Sequence, residues 1–473
     1  MAAKATILRL DDYRGERYAA GQTGRTNFDW HPANTSINDL LSMAGPAVRA
    51  KVRQLVRDFP YFARAKRIIT DFVVGDEITL QSRALGPDGK YSPKISQKIE
   101  EAYSRWADEA DIAGRLHLNE IVRLAKDQDT ECGEFIIATT RSSRSGRFLP
   151  LALQMYEADW LTDYGTRIVT GNEIEQGVEY NPATGETVAY HLTDPSAFRT
   201  PQRIPSKYIT HGFETLRPGQ LRGISAFVPA VMVTRDLQDC MEGEIDGFKF
   251  ASKWLAFKKS MNPNKKQGLD RQGLDDVSMQ NLIIEYLQSD EEVTIASNPR
   301  PSPQLTPFVR LVLSMLAVGT GVPYELISGD YQGLNMAVTK VVRADFRHVL
   351  KPIAKRHIRQ CCDPIFKIFL DAAVLHGRLD LPGYWNDPYR YQRCIWQPPV
   401  ADPVDRLRDG KADIDEKDNL LRSPQEIVGA RGRQLEDVYT EIVEAKKLAE
   451  AMQLTDKETS TALANNPAAI NKE

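Results

Sequence analysis

The chain has 473 residues, 42% of them hydrophobic and 26% charged, enough to bury a large core in two or more domains. A formal net charge of -3 excludes the strongly basic balance by which sequence-nonspecific nucleic-acid binders release counterions, so any DNA contact has to be local or weak. The opening MAAKATILRLDDYRGER is too charged for a secretory signal and no apolar run reaches the ~18 residues of a membrane span, which predicts assembly in the cytoplasm.

Residues 1 to 35 are polar and read as an extended arm. From Ala47 to Val74, apolar and basic residues recur at helical spacing on both sides of Pro60, which predicts two helices with a joint, the second ended by Gly75. Residues 93 to 130 carry a further helical pattern. Glu134 to Thr140 and Leu149 to Tyr156 then read as strands, and GVEYNPATGETVAYHL as a hairpin turning at Asn181-Pro182 and Gly185. The first ~220 residues therefore predict an α+β domain.

A long helix is predicted from Ser225 to Phe257, roughly 50 Å at ~1.5 Å per residue, with Pro229 tolerated in its first turn. Residues 258 to 304 lose the helical pattern and read as an inserted small module with one short helix over Val277 to Gln288. Thr306 and Pro307 open a helix, FVRLVLSMLAV, that stops at Gly319, Gly321 and Pro323; being apolar almost all round, it is predicted to be buried. From Asn335 to Ala373 the pattern is helical again, with Pro352 and Pro364 predicting a bend. Ser423 to Glu426 form a capping box, Leu435, Val438, Ile442, Ala445 and Ala449 share one helical face, and TDKETSTALANNPAAINKE reads as a tail. The overall class is α+β, predominantly helical.

The five cysteines, Cys132, Cys240, Cys361, Cys362 and Cys394, lack zinc-site spacing and read as reduced, buried small side chains. GPDGK at Gly86 to Lys90 is too short for a phosphate-binding loop. His117 with Glu120, and ADIDEKD near Asp413, form no complete ligand set and read as solvated surface. The expectation is a protein that is not an enzyme, with no cofactor and no metal.

Four blocks resemble the lambda-type portal family of tailed bacteriophages. They are VRDFPYFARAKRIITDFVVG, with Arg57, Pro60, Ala63 and Gly75; the hairpin with Gly177, Glu179, Gly185 and Tyr190, leading through Ile209 and His211 to RPGQLRG at Arg217 to Gly223; LSMLAVGTGVPYELISGDYQGLN, with Gly321 to Tyr324 and Asp330; and WQPPVADPVDRLRDG, with Trp396, Asp402 and Pro403. The likeness spans roughly residues 45 to 445, and RPGQLRG is its most specific match.

The resemblance implies a portal fold divided into an N-terminal arm and wing over 1–224, a first stem helix over 225–257 and a clip over 258–304. A second stem helix and tunnel loop would follow over 305–334, a kinked tunnel helix and wing return over 335–400, and a helical crown and tail over 401–473. It further implies a ring of about twelve subunits, double-stranded DNA in a central channel, and a virion location at one capsid vertex after assembly in the host cytoplasm. The implied partners are the terminase large subunit, major capsid and scaffold proteins, and head-tail connector (adaptor) proteins. Another non-enzymatic head-tail connector or minor capsid protein stands as the alternative; a metal-dependent nuclease would need clustered carboxylates or histidines.

Three sets of residues are candidates for the mechanism. Asp236, Asp239, Glu242 and Asp246 fall on one face of the long helix, an acidic stripe that is either a solvated face or, in a ring, a channel wall to which phosphates do not stick. Lys340, Arg343, Arg347 and Lys351 form a basic stripe that either grips DNA backbone or pairs with carboxylates of the adjacent subunit. Gly329, Asp330, Tyr331, Gln332 and Gly333 make a loop with mobile points at its glycines; Tyr331 and Gln332 project toward DNA unless the segment is a plain helix connection.

Overall fold

The structure is a computed structural model that describes residues 33–163, 171–194, 200–251, 256–260, 291–295, 305–332, 335–399, 406–429, 433 and 435–451. The arm up to residue 32, the helix expected at Val277 to Gln288 and the tail from 452 lie outside these residues.

Two helices, α1 (Ile37–Asp58) and α2 (Pro60–Val73), meet at Phe59. Ser36 caps the first and Pro60 opens the second, while Gly75, at φ +59°, ends it by donating its N–H to the Thr70 carbonyl. The helical pattern over 93 to 130 splits into α3 (Pro93–Ala107) and α4 (Leu118–Glu131), preceded by β1 (Thr79–Ser82). The split follows from the chain's own signals: Gly114 takes φ +68°, and His117 and Glu120 form a capping box that restarts the helix, a local use for a pair that looked like plain surface.

Strands β2 (Glu134–Arg141), β3 (Leu151–Tyr156) and β8 (Ile209–Phe213) form an antiparallel sheet with β2 in the middle. Strands β4 (Glu173–Glu175), β5 (Val178–Tyr180), β6 (Thr187–Leu192) and β7 (Gln202–Pro205) form a second sheet, paired in chain order, and the predicted hairpin is its β5–β6 pair.

Helix α5 (Val228–Ala251) is shorter at both ends than the span expected from Ser225 to Phe257. Ser225 is held outside it, its hydroxyl donating to the Thr130 carbonyl and accepting from the Phe227 N–H. Short strands β9 (Ala256–Ser260) and β10 (Glu291–Ile295) pair antiparallel, and α6 (Leu305–Thr320) returns against α5. After α7 (Tyr324–Ser328) comes α8 (Met336–His357), which runs through one π turn at Ile358–Cys362 into α9 (Asp363–Leu375). Pro364 cannot donate a backbone hydrogen bond, and the Asp363 N–H before it reaches back five residues to Ile358, so the widened turn sits where the proline predicts a bend.

The chain closes with α10 (Tyr389–Gln392), β11 (Cys394–Gln397) paired to β1, and helices α11 (Arg406–Asp418), α12 (Pro424–Gly429) and α13 (Leu435–Ala451). Ser423 and Glu426 do form a capping box, but the helix it opens is short, and Ile442 on the expected apolar face of α13 is 45% exposed. Cys132, Cys361 and Cys362 are buried thiols, whereas Cys240 and Cys394 are half-buried.

One hydrophobic core joins α2, α4 and α9 to the ends of the helix pair. Phe62 meets Phe227 edge-on at 4.9 Å just before α5 begins, and Leu316, at the end of α6 that packs beside that start, is fully buried. Trp106 and Phe369 pack at 5.2 Å, and the indole N–H donates to the Leu151 carbonyl. Each such aromatic contributes on the order of 2–3 kcal/mol of burial, so the roots of α5 and α6 are fixed to the body by the same side chains that hold the body together.

Candidate functional site

The helix pair departs from the sequence expectation in one respect that matters. Helix α6 is buried on only one side, through Val312, Leu313, Leu316, Ala317 and Thr320. Its other side carries Phe308, Leu311, Met315 and Val318, exposed by 46%, 60%, 51% and 84%. The apolar composition was legible, but composition cannot say whether both sides of a helix are covered within its own chain.

On α5 all four expected carboxylates, Asp236, Asp239, Glu242 and Asp246, are exposed. They are not a bare negative wall. Arg235 pairs with Asp239 at 2.9 Å, Lys249 with Asp246 at 3.0 Å, and the Gln238 amide donates to Glu242 at 2.9 Å. These are exposed i,i+3 and i,i+4 contacts, each contributing only a few tenths of a kcal/mol, so they trim the stripe's charge without fixing its side chains.

The loop after α7 is built on Asp330. Its carboxylate accepts from Arg310 of α6 at 3.2 Å and from the Gln332 N–H at 3.1 Å, and its own N–H donates to the Ser328 hydroxyl. Gly329 takes φ +71° and caps α7, beside Arg64, whose guanidinium donates to the Leu326 carbonyl at 2.7 Å. Asp330 thus faces its own chain; Tyr331 and Gln332 are exposed, and Gly333 lies outside the described residues.

Along α8, Arg343 and Lys351 are exposed, whereas Lys340 is half-buried and Arg347 sits over the Phe72 ring at 5.4 Å. The far end of α8 is anchored by buried polar groups that the sequence did not single out. Arg356 donates two 3.0 Å hydrogen bonds to Asp129 of α4, and Lys126 donates to the same carboxylate at 2.5 Å, beside a cavity of about 100 Å³. Burial raises the Asp129 carboxyl, but Lys126 and Arg356 outweigh it and hold it below its ordinary range. Next to it the His357 ring donates through Nε2 to the Val122 carbonyl at 3.1 Å. The available signal was position: in a mostly polar helix, Lys126 and Asp129 continue the helical face of Leu118, Ile121, Val122 and Ala125, which is the buried face of α4.

The RPGQLRG segment ties the body together beneath the helix pair. Gln220 accepts from the Leu216 N–H and donates to the Arg222 carbonyl, the Leu221 N–H donates to Asn38 of α1, and Arg222 reaches Glu134 on β2. Among the described residues no helix is long and apolar enough to cross a membrane, and no group of three or more metal-ligating side chains occurs.

Residues 23–352 match the family model described as phage portal protein, lambda family. The chain is 25% identical over 421 residues to a probable portal protein of Halomonas phage phiHAP-1, covering 84% of this chain and 79% of the relative. It is 19% identical to portal protein B of Escherichia phage lambda, over 82% of this chain and 80% of that one. Among solved structures, a chain from the neck of an empty gene transfer agent particle aligns over 83% of this chain and 98% of its own, at 13% identity and a TM-score of 0.44. The family match puts the chain among the structural proteins of bacteriophages. It belongs to the lambda family of phage portal proteins.

Proposed function

We propose that the chain assembles into a closed ring of about twelve copies at a capsid vertex, enclosing the channel through which double-stranded DNA is packaged and later ejected. In this reading α5 and α6 are the stem, α7 with residues 329–333 the tunnel loop and α8 the tunnel helix. The segment 258–304 is the clip that meets the terminase large subunit and then the adaptor proteins, and the body contacts the major capsid and scaffold proteins.

The observation that carries the reading is the uncovered apolar side of α6. A helix whose outward residues are Phe308, Leu311, Met315 and Val318 has no stable place in water, and a neighbouring copy offers the same surfaces in every repeat of a ring. Covering these side chains contributes on the order of 1 kcal/mol each. The exposed carboxylates of α5 then turn toward the channel, where they keep phosphates from adhering.

Native mass spectrometry of the purified protein tests it, with L311D/M315D as the variant. A ring for the wild type and a folded monomer for the variant are expected; rings of unchanged mass from the variant would remove α6 from the subunit contact.

A further inference from the structure

Away from the helix pair, arginines from three parts of the chain converge on Phe148. Arg105, on the last turn of α3, lies over the Phe148 ring at 4.7 Å, and Arg378, just after α9, lies over the same ring at 5.4 Å while donating to the Phe148 carbonyl at 2.8 Å. Arg147, the preceding residue, donates to the Asp111 carbonyl at 2.5 Å and to that of Glu109. In the same β2–β3 turn, the Arg144 guanidinium sits against Gly114, next to Arg115. Arg105, Arg115, Arg144 and Arg378 are exposed.

None of these arginines forms an ion pair among the described residues, although carboxylates stand close. Glu109 accepts the Phe148 N–H at 2.8 Å, Asp111 accepts the Arg115 N–H at 2.9 Å, and Asp108 faces His117 at 3.6 Å. Glu101, one turn before Arg105, and Asp380, two residues after Arg378, likewise form no ion pair among the described residues. These acids are thus turned to backbone amides or to a histidine, and the exposed guanidinium groups of Arg105, Arg115, Arg144 and Arg378 have no carboxylate partner among the described residues.

We propose that this surface docks an acidic polypeptide segment of another protein. Its positive charges are arginines with planar forks that match carboxylates bidentately, and two of them are already immobilised on an aromatic ring, which lowers the entropy lost on binding. A peptide fits better than a nucleic acid for a second reason. Leu375, three residues before Arg378, is 71% exposed, an apolar contact that a side chain between acids can cover and a phosphodiester backbone cannot. The inference stands on the body alone and is independent of the channel reading.

The test uses the full-length protein and a fluorescent peptide alternating glutamate pairs with leucine, followed by anisotropy; its glutamine counterpart and a duplex of about twenty base pairs serve as comparisons. The acidic peptide is expected to bind, the glutamine peptide not, and R115E/R144E to weaken binding at least about tenfold. Both side chains are exposed, so that variant keeps the wild-type melting temperature. R378K is the second variant; it keeps the charge but loses the fork and the bond to Phe148, and is expected to weaken binding severalfold. Peptide binding unchanged in both variants overturns the proposal. So does a duplex that binds more tightly than the peptide and responds to the same variants, which would make the surface a nucleic-acid contact.

Discussion

Arg222 and Glu134 face each other in the interior, with side chains 3% and 0% exposed. Glu134 accepts from the Arg222 Nε at 2.9 Å, from His211 at 3.1 Å and from the Gly223 N–H at 3.0 Å. Arg222 spends its remaining donors on the Gln176 carbonyl at 2.8 Å and the Ala158 carbonyl at 2.7 Å. One carboxylate and one guanidinium thereby join β2, β8, the β4–β5 turn and the segment leading into α5.

Removing one member leaves the other charged and buried, so R222M is expected to destabilise the protein by roughly 3–5 kcal/mol. Urea unfolding of the purified chain checks this. A loss below about 1 kcal/mol would mean that the site accommodates a lone carboxylate, for instance by admitting water.

Acid sensitivity should appear in two steps. Burial and the neighbouring Lys126 push His357 down to about 4, from an ordinary value near 6.5. Between these values the unfolded chain binds a proton that the folded one refuses, so stability is full above the upper value and is lost as pH falls, by about 1.4 kcal/mol per pH unit. H357Q is expected to flatten that part of the profile. Burial raises Glu134, but Arg222 and His211 outweigh it and hold its carboxyl well below the usual range, so its contribution is full above about 4.3 and is lost only at lower pH. E134Q should change the second step and leave the slope between pH 6.5 and 4 in place, measured by thermal melts across the pH range.

Gly223 and Gly133 lie back to back. A methyl group on Gly223 would meet the Gly133 carbonyl, and one on Gly133, at φ +90°, would meet the Ile224 backbone. Backbone cannot swing aside as a side chain can, so G223A is expected to cost on the order of 3 kcal/mol or more. G185A, at an open turn where φ is +74° but nothing stands within 4 Å, should cost only about 1 kcal/mol. Paired melting curves distinguish a packing limit at Gly223 from a merely conformational one at Gly185.

These two glycines also mark where sequence reading succeeds and stops. Local signals are short-range physics, so Gly75 ending α2, the Ser423–Glu426 box and the hairpin turning at Gly185 could all be read directly. RPGQLRG stood out as a pattern, yet its work is done across long separations, Arg222 to Glu134 and Leu221 to Asn38, which no local periodicity encodes. Likewise the periodicity of α6 shows that it is apolar but not that Leu311 and Val318 stay uncovered, because that depends on what α5 covers. The charges of α5 and α8 were legible; that Arg235 and Lys249 trim the first and Phe72 holds one member of the second was not.

The basic stripe of α8 can be divided by experiment. Arg347 packs over Phe72, which itself meets Phe346 of the core edge-on at 5.0 Å, so its side chain belongs to the fold. Arg343 and Lys351 are exposed on the same helix. R347A is therefore expected to lower stability by about 1 kcal/mol through lost cation–π and packing contact. R343A/K351A should leave the melting temperature within error, since exposed charges contribute little to folding. If the pair serves assembly or DNA, the double variant shows its defect there instead, as fewer rings by native mass spectrometry or less DNA packaged by rings of normal mass. Those two readouts separate a contact between subunits from a contact with the phosphate backbone. A double variant that melts like the wild type, forms rings and packages normally would assign both side chains to solvent.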